Sequence, residues 1–149
     1  MSEGVPLSRT ARDQLARYLA EIEEKKEDLI SQFYADVAHE RQKLRDFLNQ
    51  TTKKLSELIQ RAIVVDDADD TLPFACIGSR VEVEDEGTGE QLIFCVVSPF
   101  LEEVGENDAS YLSPIGRALA FKKPGERVEV RSPSGTFAVR IKKVTAIGP

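Results

Sequence analysis

The chain has no tryptophan, one histidine and two cysteines among its 149 residues. That poverty removes most metal and nucleophile chemistry. His39 has no second histidine with which to share a metal, and Cys76 and Cys95 form neither a CxxC nor a Cys/His spacing that would make a zinc site. A Ser/His/Asp arrangement has no local support, and there is no GxxxxGK[ST] or GxGxxG phosphate loop. Both cysteines stand in apolar surroundings, which reads as reduced core residues of a cytoplasmic protein. No apolar run approaches the roughly 20 residues that span a bilayer. The N-terminus lacks the basic start and apolar stretch of a secretion signal. A cytoplasmic protein with no membrane contact is expected.

Positive charge is also in deficit. Lys and Arg number 20 against 26 Asp and Glu, a net charge of −6. An acidic chain gains little from the counterion release that drives binding to a nucleic-acid backbone. Contact with DNA or RNA is therefore expected only indirectly, through a partner or a local basic patch. The acidic balance suits basic protein surfaces or bound metal ions, and equally suits plain solubility. With 41% hydrophobic residues the chain has the means to fold, as one ordinary domain or as two small modules.

The most informative absence is local. Residues 8–62 contain none of the nine glycines and none of the seven prolines. That window is instead rich in Ala, Leu, Glu, Lys, Arg and Gln, the strong helix formers. Ser8 or Thr10 can cap its start, with Asp13 in the first turn. Ala11, Leu15, Tyr18, Ile22, Leu29 and Phe33 recur at three- and four-residue steps, an a/d seam broken by Lys25. Continued in the same frame, the seam would meet Asp36, His39, Lys43 and Asp46, all polar. The apolar positions are instead Val37, Leu44, Leu48, Leu55, Leu58 and Ala62. The frame slips near residues 33–37, as it would in two helices joined by a turn or in one long helix with a stutter. A single rod over this window would extend about 80 Å and need a partner chain, whereas a fold-back gives an arm of roughly 35–40 Å with its seam closed internally.

The remainder has strand and turn grammar. Arg80 to Asp85 alternates with Val81 and Val83 on one face, Gly87 and Gly89 mark a turn, and Leu92 to Val97 reads as a buried strand. Ser113-Pro114 fits a helix start, serine at the cap and proline at the first helical position, with Ile115 to Ala120 as the short helix. Pro124-Gly125 turns, Val128 and Val130 alternate on a strand, and Phe137 to Ile147 carries the last one. Two hairpins and a short helix make an antiparallel α+β unit. The expected division is 1–64 helical, 65–78 linker, 79–149 β-rich.

Val81-Glu-Val-Glu-Asp85, Thr88-Gly-Glu90, Ser113-Pro-Ile-Gly-Arg-Ala-Leu119 with Lys122-Lys123 after it, Pro124-Gly125 and Pro133-Ser-Gly135 resemble, in order and spacing, the C-terminal domain of the GreA/GreB transcript-cleavage family. Pro6-Leu7-Ser8 before the first helix and Ala62-Ile-Val-Val-Asp66 after the second are similar to family members more weakly. The resemblance implies an N-terminal antiparallel helical hairpin, a coiled-coil arm, on a C-terminal FKBP-like β-rich domain. It implies bacterial RNA polymerase as partner. The domain docks on the rim of the secondary channel, and the arm reaches in. Acidic residues at the tip help to hold a magnesium ion at the polymerase active site, so that the polymerase cuts a backtracked transcript by two-metal hydrolysis. Such a factor is not an enzyme alone, has no cofactor of its own, and is expected to be a monomer.

On the matching positions, Asp36 would be the catalytic tip acid and the ligand of that shared magnesium, with Glu40 one turn further. Ser113, Pro114, Arg117, Lys122 and Lys123 would be partner-binding residues. The family's Gly-Asp turn and its acidic tip motif are not repeated between Ile30 and Glu40, and the first helix is shorter than the family norm. Two alternatives follow: a regulator that occupies the channel without cleavage, or a short-armed relative that regulates a nucleoside diphosphate kinase. Peptidyl-prolyl isomerisation, which FKBP-like folds can carry, needs an aromatic-lined apolar pocket that six aromatic residues and no tryptophan in the β-rich half supply poorly.

Overall fold

The computed structural model describes residues 4–34, 38–65, 69–98, 107–132 and 135–147. Asp36, Val37, Asp66 and Pro133, which the sequence reading singles out, lie outside the described residues.

Ser8 starts the first helix, α1 (Arg9–Tyr34). Its hydroxyl accepts the Ala11 N–H at 3.0 Å, which satisfies one of the otherwise orphaned donors of the first turn, and its carbonyl accepts the first intrahelical bond, from Arg12 N–H at 3.0 Å. The same hydroxyl donates to Asp70 Oδ1 at 2.6 Å and so ties the helix start to the segment ahead of the sheet. The second helix, α2 (Ala38–Arg61), begins four residues after α1 ends. Side-by-side bridges link the two: Lys26 Nζ donates to Asn49 Oδ1 at 2.8 Å, and Arg45 pairs with Glu27. The chain therefore folds back into a hairpin. With 26 and 24 residues the helices run about 39 and 36 Å at 1.5 Å per residue.

The seam is closed where the spacing places it. Ala11, Leu15, Ile22 and Leu29 of α1 and Leu44, Leu48, Leu55 and Leu58 of α2 are buried. Thr51, also fully buried, fills the heptad place between Leu44 and Leu58. At the arm's base β1 (Val5–Leu7) and β2 (Ala62–Val64) form a parallel pair, Val5 opposite Ala62 and Leu7 opposite Val64.

Among the described residues five further strands build one sheet, in the order β5-β4-β3-β7-β6: β3 (Ser79–Asp85), β4 (Gln91–Val97), β5 (Asp108–Ser110), β6 (Arg127–Ser132) and β7 (Gly135–Ala146). The β3–β4 turn is held by Asp85, whose carboxylate accepts the Gly87 and Thr88 N–H groups at 2.8 and 3.1 Å, while Gly89 takes the positive φ of 76° that closes it. β3 is central, with Val81 and Val83 fully buried. With the short helix α3 (Pro114–Leu119) packed beside β6, this is the FKBP-like α+β arrangement expected. One apolar core runs without a break from the arm's seam into the sheet.

Two expectations are corrected. The sheet is mixed: β5 pairs with β4 in parallel, through Cys95 N–H to Asn107 O and Tyr111 N–H to Val97 O at 2.8 and 2.9 Å. Asp108-Ala-Ser110 has no apolar alternation, so only these backbone bonds make it a strand. Nor is β4 buried throughout. Only Val96 and Val97 are, because just the three-residue β5 shields its outer side. Cys76 is wholly buried, and desolvation pushes its thiol up to about 12, so it packs as a small hydrophobe and offers no thiolate.

Candidate functional site

Short-range chemistry builds α3. Ser113 caps it with φ −70° and ψ 163°; its hydroxyl accepts the Gly116 N–H at 3.1 Å and donates to Ser110 O at 2.7 Å. Pro114 occupies the first helical position, where its missing N–H has no cost, and is exposed. Gly116 is required by closeness. A Cβ there would stand 2.2 Å from Ser110 O and 2.9 Å from Tyr111 Cα.

That contact seats α3 on Tyr111, and Tyr111 joins the domain to the arm. Its ring stacks on Phe47 of α2, centroids 5.0 Å apart, and its hydroxyl lies 2.5 Å from Thr51 Oγ1. Thr51 already donates to Phe47 O at 2.9 Å, so the tyrosine supplies the proton of the shared bond. Burial raises the phenol's pKa above its ordinary value, which keeps that donor protonated. Tyr111→Phe is expected to cost about 1–2 kcal/mol, the penalty for a buried acceptor left with one partner fewer. Urea unfolding of the two proteins measures it, and an unchanged midpoint would remove the assignment. Two more ties hold the arm from the α1 side. Gln14 Nε2 donates to Gly78 O at 3.2 Å, and Gly78 makes room for Tyr18, whose ring a Cβ there would strike at 2.3 Å.

The cations named from the sequence do not form one exposed spot. Arg117 turns inward, its guanidinium 5.3 Å from the centre of the Phe47 ring, with Nε and Nη2 buried and unpartnered. Arg117 and half-buried Lys122 line one cavity of about 410 Å³ together with Phe47, Gln50, Arg127 and Glu129. Lys123 is exposed and lines a second, of about 290 Å³, with Lys54, Arg61, Phe74 and Phe121. Glu40 belongs to neither. It sits in the first turn of α2, half-buried, 3.8 Å from Lys43 Nζ, and roughly 10 Å along the helix axis from Phe47. Among the described residues no three His, Cys, Asp or Glu side chains gather as a metal site. Sequence reasoning missed Phe47, Thr51 and Tyr111. The interrupted heptad at Thr51 was the one local signal, since a polar residue between Leu48 and Leu55 in a sealed seam needs a partner.

A closed helical arm, seated by an aromatic junction on a curled mixed sheet with a serine-capped short helix, defines an arm-and-domain factor. The model of the C-terminal part of the transcription elongation factors GreA/GreB matches residues 73–146. The chain is 30% identical over 126 residues to transcription elongation factor GreA of Thermosipho africanus, covering 85% of this chain and 73% of that one. It is 28% identical over 142 residues to GreA of Syntrophobacter fumaroxidans, covering 94% and 89%. A solved GreA/GreB factor from Nitrosomonas europaea shares the fold, with TM-score 0.50 and 22% identity over 95% of this chain and 98% of that one. The chain belongs to the GreA/GreB family.

Proposed function

We propose that this protein is a transcription elongation factor that binds bacterial RNA polymerase and works through its secondary channel. The observation that carries the reading is the arm itself. Its seam is buried within one chain, which leaves the outer faces polar and free to enter a solvated channel, and no partner chain is needed to complete it. On this reading it acts as a monomer in the cytoplasm, where bacterial polymerase works; the internally closed seam supports the monomer. The docking end is α3, where the Ser113 cap fixes the backbone and presents Pro114, with exposed Lys123 beyond the helix; Arg117 and Lys122 support this end from inside.

At the other end the chain contributes oxygen donors. Among the described residues Glu40 pairs with Lys43 across a largely solvated gap of 3.8 Å, a type worth about 0–1 kcal/mol, which a stronger cation can displace. Asp36 precedes it by one helical turn in sequence. Such donors fit a magnesium ion that polymerase itself largely coordinates, since magnesium keeps several waters and takes one or two carboxylates. The ion would supply Lewis acidity and an activated water for transcript cleavage. The protein's part is to carry the carboxylates in and hold them; it is not an enzyme alone.

The test uses polymerase stalled on a backtracked transcript with magnesium present. Shortened RNA with the wild type and none with Asp36→Ala assigns the tip acid; equal shortening by both removes it. Binding without any shortening makes the protein a channel-occupying regulator, a reading favoured by the lone carboxylate expected at the tip. Absence of binding to polymerase overturns the proposal.

A further inference from the structure

Arg117 poses an energetic problem. Two of its guanidinium nitrogens are buried without a hydrogen-bond partner, and among the described residues no carboxylate lies within ion-pair distance. Desolvating a charge is costly unless something of opposite sign compensates. The Phe47 ring face at 5.3 Å returns only about 0.5–2 kcal/mol. Nε and Nη2 are closed off from solvent, so compensation from the cavity that Arg117 lines reaches the charge through the part of the side chain that stays accessible.

That cavity carries excess positive charge. Arg117, Lys122 and Arg127 face one carboxylate, Glu129. Arg127 is held by Glu86, Nε to Oε2 at 2.7 Å, but Arg140 draws on the same carboxylate at 3.1 Å, so one anion serves two cations there. An excess of this kind matches a phosphate group better than a singly charged carboxylate, because phosphate carries more negative charge and more acceptor oxygens. The volume of about 410 Å³ falls within the range of small-molecule sites, roughly 300–1,000 Å³, and exceeds the needs of a bare ion. Phe47 and Phe121 supply apolar wall for an attached organic group.

The backbone is strained at this place. Phe121 has φ 67°, the one non-glycine residue with positive φ among the described residues. For a bulky side chain that conformation costs about 1–3 kcal/mol and persists only where neighbours enforce it. Here Phe121 N–H donates to Ala75 O at 2.7 Å and Ala75 N–H donates to Lys122 O at 2.8 Å. The enforced turn places the Phe121 ring between the two cavities and Lys122 beside Arg117.

We propose that the cavity between the arm's base and α3 is a binding site for a small organic phosphate, with half-buried Arg117 as its first cation and Lys122 as its second. The site joins Phe47 and Gln50 of the arm to Arg117 and Lys122 of the domain, so occupancy ties the two halves together. Polymerase is not needed for this binding, which stands apart from the function proposed above.

The experiment titrates the full-length protein alone with AMP, ADP and inorganic phosphate by calorimetry and follows thermal unfolding alongside. The expected result is saturable binding of AMP or ADP with a raised melting temperature, and weaker binding of inorganic phosphate. Arg117→Gln should weaken it by roughly tenfold to a hundredfold, the range for a lost hydrogen bond to a charged group. Lys122→Gln should also weaken it, and it decides the matter if Arg117→Gln does not fold. Exposed Arg131→Gln should bind as the wild type does. No saturable binding at millimolar concentration, or equal binding by both cavity variants, overturns the proposal. So does an oligoglutamate peptide or an RNA oligomer that binds with the same dependence on Arg117 and Lys122 when the three phosphates do not.

Discussion

Gly116→Ala is expected to destabilise the protein by more than about 3 kcal/mol, beyond the usual 1–3 kcal/mol of overpacking, although it adds a single methyl group. The atoms it meets are Ser110 O at 2.2 Å and the Tyr111 backbone at 2.9 Å, none of which can rotate away as a side-chain tip could. Relief requires α3 to lift from the segment it caps. That movement also breaks the Ser113 to Ser110 bond and pulls Tyr111 from Phe47 and Thr51. The loss would consume a large part of the roughly 5–15 kcal/mol available to a domain of this size. Gly87→Ala is the control: its φ is ordinary, only the Asp85 carboxylate is near, at 3.2 Å, and the expected change is within about 0.5 kcal/mol. Urea titration of the three proteins settles it, and comparable midpoints for Gly116→Ala and Gly87→Ala would show that α3 is not seated as described.

Leu55→Ala should cost about 2–5 kcal/mol, the transfer term for a fully buried leucine plus that of the cavity left behind. Exposed Lys53→Ala, two positions away, should be nearly silent. Because one core passes from the seam into the sheet, the loss should shift the whole unfolding transition and not detach the arm alone. Far-ultraviolet circular dichroism follows the helices. With no tryptophan in the chain, tyrosine emission in a Tyr18→Phe/Tyr34→Phe background reports Tyr111 at the junction. Coincident transitions by both probes are expected. An arm signal lost well before the tyrosine signal would mean that arm and domain fold as separate units.

Most of the seam was legible in sequence. Leucines at 44, 48, 55 and 58 repeat with the period of a buried stripe, and the slip at residues 33–37 coincides with the interval between the helices. Val81 and Val83, the Asp85 turn and the Ser113-Pro114 start were legible for the same reason: each is decided by residues within a few positions of one another. The strand at Asp108 was not, since its identity lies in hydrogen bonds to β4. The candidate site was legible only in its parts. Arg117, Lys122 and Lys123 were named together as partner-binding residues, whereas the fold turns Arg117 onto an aromatic ring of the arm and divides the cations between two cavities.

The sequence by itself determined the helical window and the slip in its frame, the caps, the turns and the family, because period, capping chemistry and motif spacing are local properties of the chain; that the slip is a fold-back was decided by the tertiary structure. Only the tertiary structure decided that Thr51 meets Tyr111, that Gly116 must be glycine, and that a guanidinium is buried where arm and domain join. Those facts depend on distances between residues far apart along the chain, and such distances exist only once the apolar core has closed.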